Sequence, residues 1–199
     1  MAIEYEEDPK KYVEQYKDAA EKYTPDKIKV LFVAESPPCP EKNEKPAYFY
    51  FEDGELGDLF QSIMKVLFPE DFIMFKKKLL ELFKEKGCFL IDAVEYPINQ
   101  LGRDKERNPR IKEECLNLKW SDKLRNTVKV NKETKIILIK KNIHQLLAGK
   151  LKNEGFNVLN TKHLSFPSRG HQQKFQDELN KLLKDNNCIT AVVEPSKII

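Results

Sequence analysis

Glycine is scarce in this chain, with seven residues in 199. A phosphate-cradling Walker loop or a G-x-G-x-x-G turn needs clustered glycines where backbone meets ligand, and the absence of any such cluster excludes the common nucleotide-binding loops. Cysteine is sparse too: Cys39, Cys88, Cys115 and Cys188 lie far apart with no C-x-x-C pair, so neither a zinc site nor a disulfide framework is expected. His144 and His163 have no carboxylate or thiol at metal-binding spacing, and the chain is expected to need no metal and no other cofactor. No apolar run approaches the ~18 residues of a membrane span. The opening MAIEYEEDPKKYVEQY is acidic and polar where a secretory signal is basic and then apolar, which points to a cytoplasmic protein with no membrane partner. An excess of charge of one sign is also missing, since 35 Lys+Arg face 32 Asp+Glu for a net charge of +3. A surface this nearly balanced serves solubility more often than electrostatic capture of nucleic acid.

What is present is a globular composition, 40% hydrophobic and 34% charged. A chain of this length can bury a core of its own, and one domain over residues 1–199 is expected, as a monomer. Apolar and helical stretches alternate. Asp8-Pro9 opens a helix over about residues 8–23, with Tyr12, Tyr16, Ala19, Ala20 and Tyr23 as its packing stripe. Strands are expected at residues 27–34, 88–94, 135–139 and 156–159. Between them, helices are expected from Gly57-Asp58 to about Phe68, from Pro69 to about Lys86 with Phe72 and Phe75 on the apolar face, from Pro109 through Cys115, and over about residues 142–153 and 172–183. Gly87 and Gly155 follow two of these helices as C-terminal caps. A tail or edge strand ends the chain over about residues 190–199. The alternation predicts an α/β fold, a three-layer α/β/α sandwich whose central four-stranded sheet is mostly parallel.

Open parallel sheets bind ligands beyond the carboxyl ends of their strands. In this sequence, chemistry-bearing residues sit just there. Glu35-Ser36-Pro37-Pro38 follows the first strand and leads into a proline-rich loop; Asp92 lies in the second; Phe166-Pro167-Ser168-Arg169-Gly170-His171 follows the fourth. Three distant stretches are therefore expected to meet in one site.

That order, an apolar strand then Ala34-Glu35-Ser36-Pro37-Pro38, an apolar strand with Asp92, and a late Phe166-Pro167-Ser168, resembles the uracil-DNA glycosylase superfamily over residues 27–183. The resemblance lies in order and spacing, because each motif is altered. It implies hydrolysis of the N-glycosidic bond of a damaged or deaminated base in DNA, as in base excision repair, with DNA as partner. It places Glu35 as the acidic residue that directs water and stabilises the charge growing on the sugar, and Asp92 where the family has a base-reading Asn. An ionised Asp only accepts hydrogen bonds whereas an Asn amide also donates, so uracil is not the obvious base. Apart from the resemblance, Glu35 reads as a loop carboxylate paired with lysine and Asp92 as a strand-end cap.

Ser36 and Pro37 complete the first motif. Phe49 or Tyr50, from the aromatic run 48–51, supplies the ring that stacks on the base, unless that run is ordinary core. Phe166 stands where the family often has a His that stabilises the leaving base, and it cannot donate a hydrogen bond. Ser168, Arg169 and Gly170 would hold phosphate, while His171 either replaces the missing imidazole or begins the last helix. Iron–sulfur clusters in some branches need four cysteines, which are not at the expected places here. The loss of the histidine leaves a second expectation open, a catalytically inactive nucleic-acid or nucleotide-binding module of the same fold.

Overall fold

A computed structural model describes residues 12–39, 46–98, 101, 103–116 and 118–188. The helix start at Asp8-Pro9 and the tail at 190–199 lie outside the described residues, as does part of the proline-rich loop.

Four strands form one parallel sheet in the order β2-β1-β3-β4, with β1 Val30–Ala34, β2 Cys88–Asp92, β3 Lys135–Leu138 and β4 Asn157–Val158. Every residue of β1 is buried, as expected of a central strand covered on both faces. Register pairs Ala34 with Asp92 and Val33 with Leu138, so the carboxyl ends of β1, β2 and β3 finish at one level.

The helices are α1 Val13–Glu21, α2 Asp58–Leu67, α3 Lys76–Glu85, α4 Asp104–Cys115, α5 Leu118–Asp122 continuing into a π-helical turn at Lys123–Thr127, α6 Lys141–Asn153 and α7 Gln172–Asp185. From β1 the chain steps outward to β2, then back past β1 to β3 and on to β4. Right-handed crossovers therefore place α2 and α3 on one face and α4 to α6 on the other. α7 packs against α2, and α4 against α6. The result is the three-layer α/β/α fold. Because β1 connects to one side and β3 to the other, the crevice between their carboxyl ends is the topological switch point of the sheet.

Local chemistry explains where the elements begin and end. Gly87 adopts φ 75° between α3 and β2, and a Cβ there would lie 2.9 Å from the Lys27 carbonyl oxygen, so only glycine fits this helix end. Gly155 follows α6 at φ 82°, where the positive φ alone favours glycine. The outer edge of β2 is blunted by Tyr50, whose hydroxyl donates to the Leu90 carbonyl at 3.0 Å and accepts from the Leu90 amide at 2.7 Å.

Two expectations need correction. The helix after Pro69 begins only at Lys76, and Phe75 is 90% exposed rather than on an apolar face. The Lys76 ammonium is buried, donating to the carbonyls of Tyr48 at 2.9 Å and Glu55 at 3.3 Å above the Phe60 ring, and this anchor sets the helix start. Pro109 does not begin α4 but lies inside it; the first turn is fixed instead by Glu106, whose carboxylate accepts from the Arg103 amide at 3.1 Å. The aromatic run at 48–51 lies in a turn, with Tyr48, Phe49 and Tyr50 buried.

Candidate functional site

β1 ends in Ala34, and the next residue, Glu35, projects into the switch-point crevice with only 9% of its surface exposed. A carboxylate buried to this degree needs donors. Three side chains supply them. Lys140, the residue before α6, donates to Oε2; Arg107 Nη1 from α4 reaches the same oxygen at 3.0 Å; Asn142 Nδ2 donates to Oε1 at 2.5 Å. Asn142 also donates to Asn108 Oδ1 at 3.3 Å, tying α4 to the start of α6. A carboxylate has about four lone-pair positions, so one on Oε1 stays open to a further donor.

Lys140 holds this place under backbone strain. Its φ of 80° and ψ of 145° fall in a region otherwise nearly confined to glycine. The amide of Lys140 donates to the Leu164 carbonyl at 3.0 Å, which holds the strained residue between β3 and the chain leaving β4.

Asp92 ends β2 beside this cluster. The Val94 amide donates to the Glu35 carbonyl at 3.0 Å and the Ala93 amide to the Ala34 carbonyl at 2.9 Å, so the two carboxylate-bearing segments are stitched together by backbone. No donor among the described residues reaches the Asp92 carboxylate within hydrogen-bond distance. Burial first, then the neighbouring Glu35 charge, raises its pKa to about 7, against a lowering by Lys123. The environment thus treats two neighbouring carboxyl groups differently: Glu35 is matched by cations and Asp92 is not.

Both face a cavity of about 410 Å3, within the roughly 300–1,000 Å3 range of small-ligand sites. Arg107 and Lys140 contribute its cationic wall, and Tyr48, Phe49 and Phe60 its aromatic walls. The Phe49 ring is fixed edge-on against Phe60 at 5.2 Å and close to Phe83 at 5.3 Å. Burial, with Asp92 nearby, pushes the Tyr48 phenol well above its usual range and keeps it a hydrogen-bond donor. A second cavity of about 620 Å3, under α1, shares Pro37, Tyr48, Leu90 and Asp92 with the first.

Of the residues singled out in the sequence, Glu35, Asp92, Ser36, Pro37, Phe49 and Phe166 line the first cavity together, Phe166 with 40% exposure. Ser36 Oγ accepts from the Ile98 amide at 3.5 Å. Tyr50 does not join them: its hydroxyl is spent on Leu90 and its ring is core. Ser168, Arg169, Gly170 and His171 are exposed and do not line the cavity. A tight turn carries them away, with the Ser168 amide donating to the Phe166 carbonyl and the His171 amide to the Ser168 carbonyl, both at 2.8 Å, and Gly170 at φ 84°. They stay connected to it through Gln172, which accepts from the Gly170 amide at 2.9 Å and donates to the cavity residue Asp58 at 3.2 Å. His171 occupies the residue before α7, without a side-chain cap bond.

Arg107, Lys140, Asn142 and Tyr48 were not singled out as site residues. Lys140 and Asn142 follow β3, so the strand-end rule applied to that strand points to them. Arg107 and Asn108 carry no such signal, because Pro109 disguised the first half of α4 as a loop.

Among the described residues no group of three His, Cys, Asp or Glu side chains comes together to hold a metal ion, and no helix is long and apolar enough to cross a membrane. Comparison of the chain with protein-family models, curated proteins and solved structures finds no match. The class defined here is therefore that of the fold, a doubly wound parallel α/β sandwich with a two-carboxylate cavity at its switch point.

Proposed function

We propose that the protein is a DNA glycosylase-like hydrolase that removes a damaged or deaminated base by cleaving its N-glycosidic bond. The observation that carries this reading is the gathering of Glu35, Asp92, Phe49 and Phe166, far apart in sequence, around one cavity at the switch point. An extruded nucleotide needs such a cavity, with an aromatic face and a polar group for the base edge. In this reading the open position on Glu35 Oε1 accepts a proton of the attacking water and aims its oxygen at the anomeric carbon. The C–N bond breaks, the base leaves with the bonding electron pair, and the water oxygen forms the new bond to the sugar. Asp92 contacts the base edge, Phe49 and Tyr48 border the ring, and Ser168, Arg169 and Gly170, outside the cavity, would engage the backbone.

Two observations favour a second reading, a binding module without catalysis. Lys140 and Arg107 offset the Glu35 charge that would stabilise a developing sugar cation, and Phe166 offers the leaving base no hydrogen bond. The test is incubation with end-labelled single- and double-stranded oligonucleotides carrying uracil, hypoxanthine, xanthine, 8-oxoguanine or mismatched thymine, followed by alkaline cleavage of abasic sites. Cleavage that disappears in Glu35→Gln supports the hydrolase. Salt-sensitive binding without cleavage supports the module, because phosphate contacts release counterions.

A further inference from the structure

Asp92 is a cavity carboxylate that no donor reaches among the described residues. Glu35 has three donors, whereas the Asp92 carboxylate, walled by Tyr48, Pro37 and Leu90, has none within hydrogen-bond distance among the described residues. The Asp92 carboxylate is half-buried and borders the cavity, so a ligand that fills the cavity strips it of water and has to bring donors in exchange. An ionised carboxylate offers two acceptors side by side and nothing else. Uracil presents carbonyl, N–H and carbonyl along its edge, so one carbonyl oxygen would face a carboxylate oxygen. A hypoxanthine edge pairs one N–H with one carbonyl and meets the same conflict. A guanine-type edge presents the ring N1–H and the exocyclic amino N–H in parallel, both aimed the same way.

We propose that the cavity selects a 2-amino-6-oxopurine, an intact or chemically modified guanine ring, through paired hydrogen bonds from its N1–H and 2-amino group to the Asp92 carboxylate. The assignment rests on the reading of this cavity as a nucleobase site and names the base. Recognition has the same logic as a bidentate amide–base contact in a DNA groove, with the donors on the base and the acceptors on the protein.

The charged and titratable groups around Asp92 are Glu35 from the end of β1, Glu95 beyond β2, Lys123 in the π-helical turn, Tyr48 in the cavity wall and Tyr16 on α1, with Arg107 and Lys140 across the cavity. Glu35 and Glu95 oppose ionisation of Asp92 and Lys123 favours it, leaving the group to titrate near neutrality. The carboxylic acid has one donor and one acceptor, which suits a hypoxanthine edge instead. Base preference therefore changes with pH: guanine-type rings are favoured where Asp92 is ionised and hypoxanthine-type rings gain where it is protonated.

The experiment is calorimetric titration of the full chain with guanosine and with inosine, which differ only by the 2-amino group, at pH 5.5 and 8.5, repeated with Asp92→Asn. Guanosine is expected to bind roughly tenfold or more tightly than inosine at pH 8.5. The ratio shrinks at pH 5.5, and in Asp92→Asn it shrinks at both pH values. Equal affinities of the wild-type protein at pH 8.5 overturn the assignment of the base but not the nucleobase site. Failure of both nucleosides to bind overturns assignment and site together. A guanosine preference without base release in the oligonucleotide assay supports the assignment and removes the hydrolase reading alone.

Discussion

The ammonium of Lys140, immediately before α6, donates to the carboxylate of Glu35, immediately after β1, so one ion pair closes the crevice between the two strands at which the chain reverses its direction of winding. The pair is mostly buried, is joined by Arg107, and is made by a residue in a conformation that costs about 1–3 kcal/mol. Strain of this kind persists only where surrounding contacts over-determine it, and here it marks the centre of the candidate site.

The strain gives a first prediction. Lys140→Ala loses the ammonium and keeps the unfavourable φ, while Lys140→Gly loses the ammonium and relieves the backbone. Lys140→Gly should be the more stable of the two by about 1 kcal/mol or more, against the usual order in which glycine costs stability through chain entropy. Urea unfolding of both variants checks this.

Removing Glu35 leaves two half-buried cations facing one another. Glu35→Ala should lose roughly 3–5 kcal/mol, the usual cost of breaking a buried pair from one side. Combining Glu35→Ala with Lys140→Met should recover part of that loss, as a double-mutant cycle in denaturant would show.

Asp92 gives a pH prediction. Its pKa is raised from 3.8 to about 7 in the folded chain, so the native state binds the proton more tightly than the unfolded state. Its contribution to stability is fully present below about pH 4 and is lost as pH rises through 7. Asp92→Asn removes that loss, and the stability difference between variant and wild type should grow by about 2–4 kcal/mol from pH 4 to pH 8, after allowance for partial exposure. Thermal unfolding across that range measures it.

Lys76 behaves in the opposite sense. Burial lowers its pKa from 10.5 to about 8, so the unfolded state binds more protons between those values and stability rises with pH across that window. The gain should be about 3 kcal/mol between pH 8 and 10.5, and the Lys76→Met protein should lack it.

The strand ends explain why half of the site was legible in the sequence. A run such as 30–34, apolar without interruption, declares a buried strand, and whatever polar residue follows it stands at the carboxyl edge of the sheet. Glu35 was found that way and Asp92 as a carboxylate inside the second apolar run, and the layered fold followed from the same pattern of runs. The residues that surround Glu35 were hidden for different reasons. Lys140 is one lysine among many, and its backbone strain has no counterpart in composition. Arg107 lies before Pro109, where a proline ordinarily signals a helix start. The run 166–171 looked continuous in sequence, but a turn at Gly170 leaves Phe166 in the cavity and carries Arg169 and His171 away from it. Likewise, helical spacing placed Phe75 on an apolar face, and the buried Lys76 contact with Tyr48 and Glu55 goes with a helix start beyond it.

Amide chemical-shift mapping with a single-stranded oligonucleotide containing 8-oxoguanine shows whether the crevice between β1 and β3 is the working site. Perturbations are expected to concentrate at Glu35, Ser36, Asp92 and Lys140, with smaller ones along 168–171. Perturbations confined to the cavity under α1, or scattered over surface lysines with the crevice silent, would contradict it.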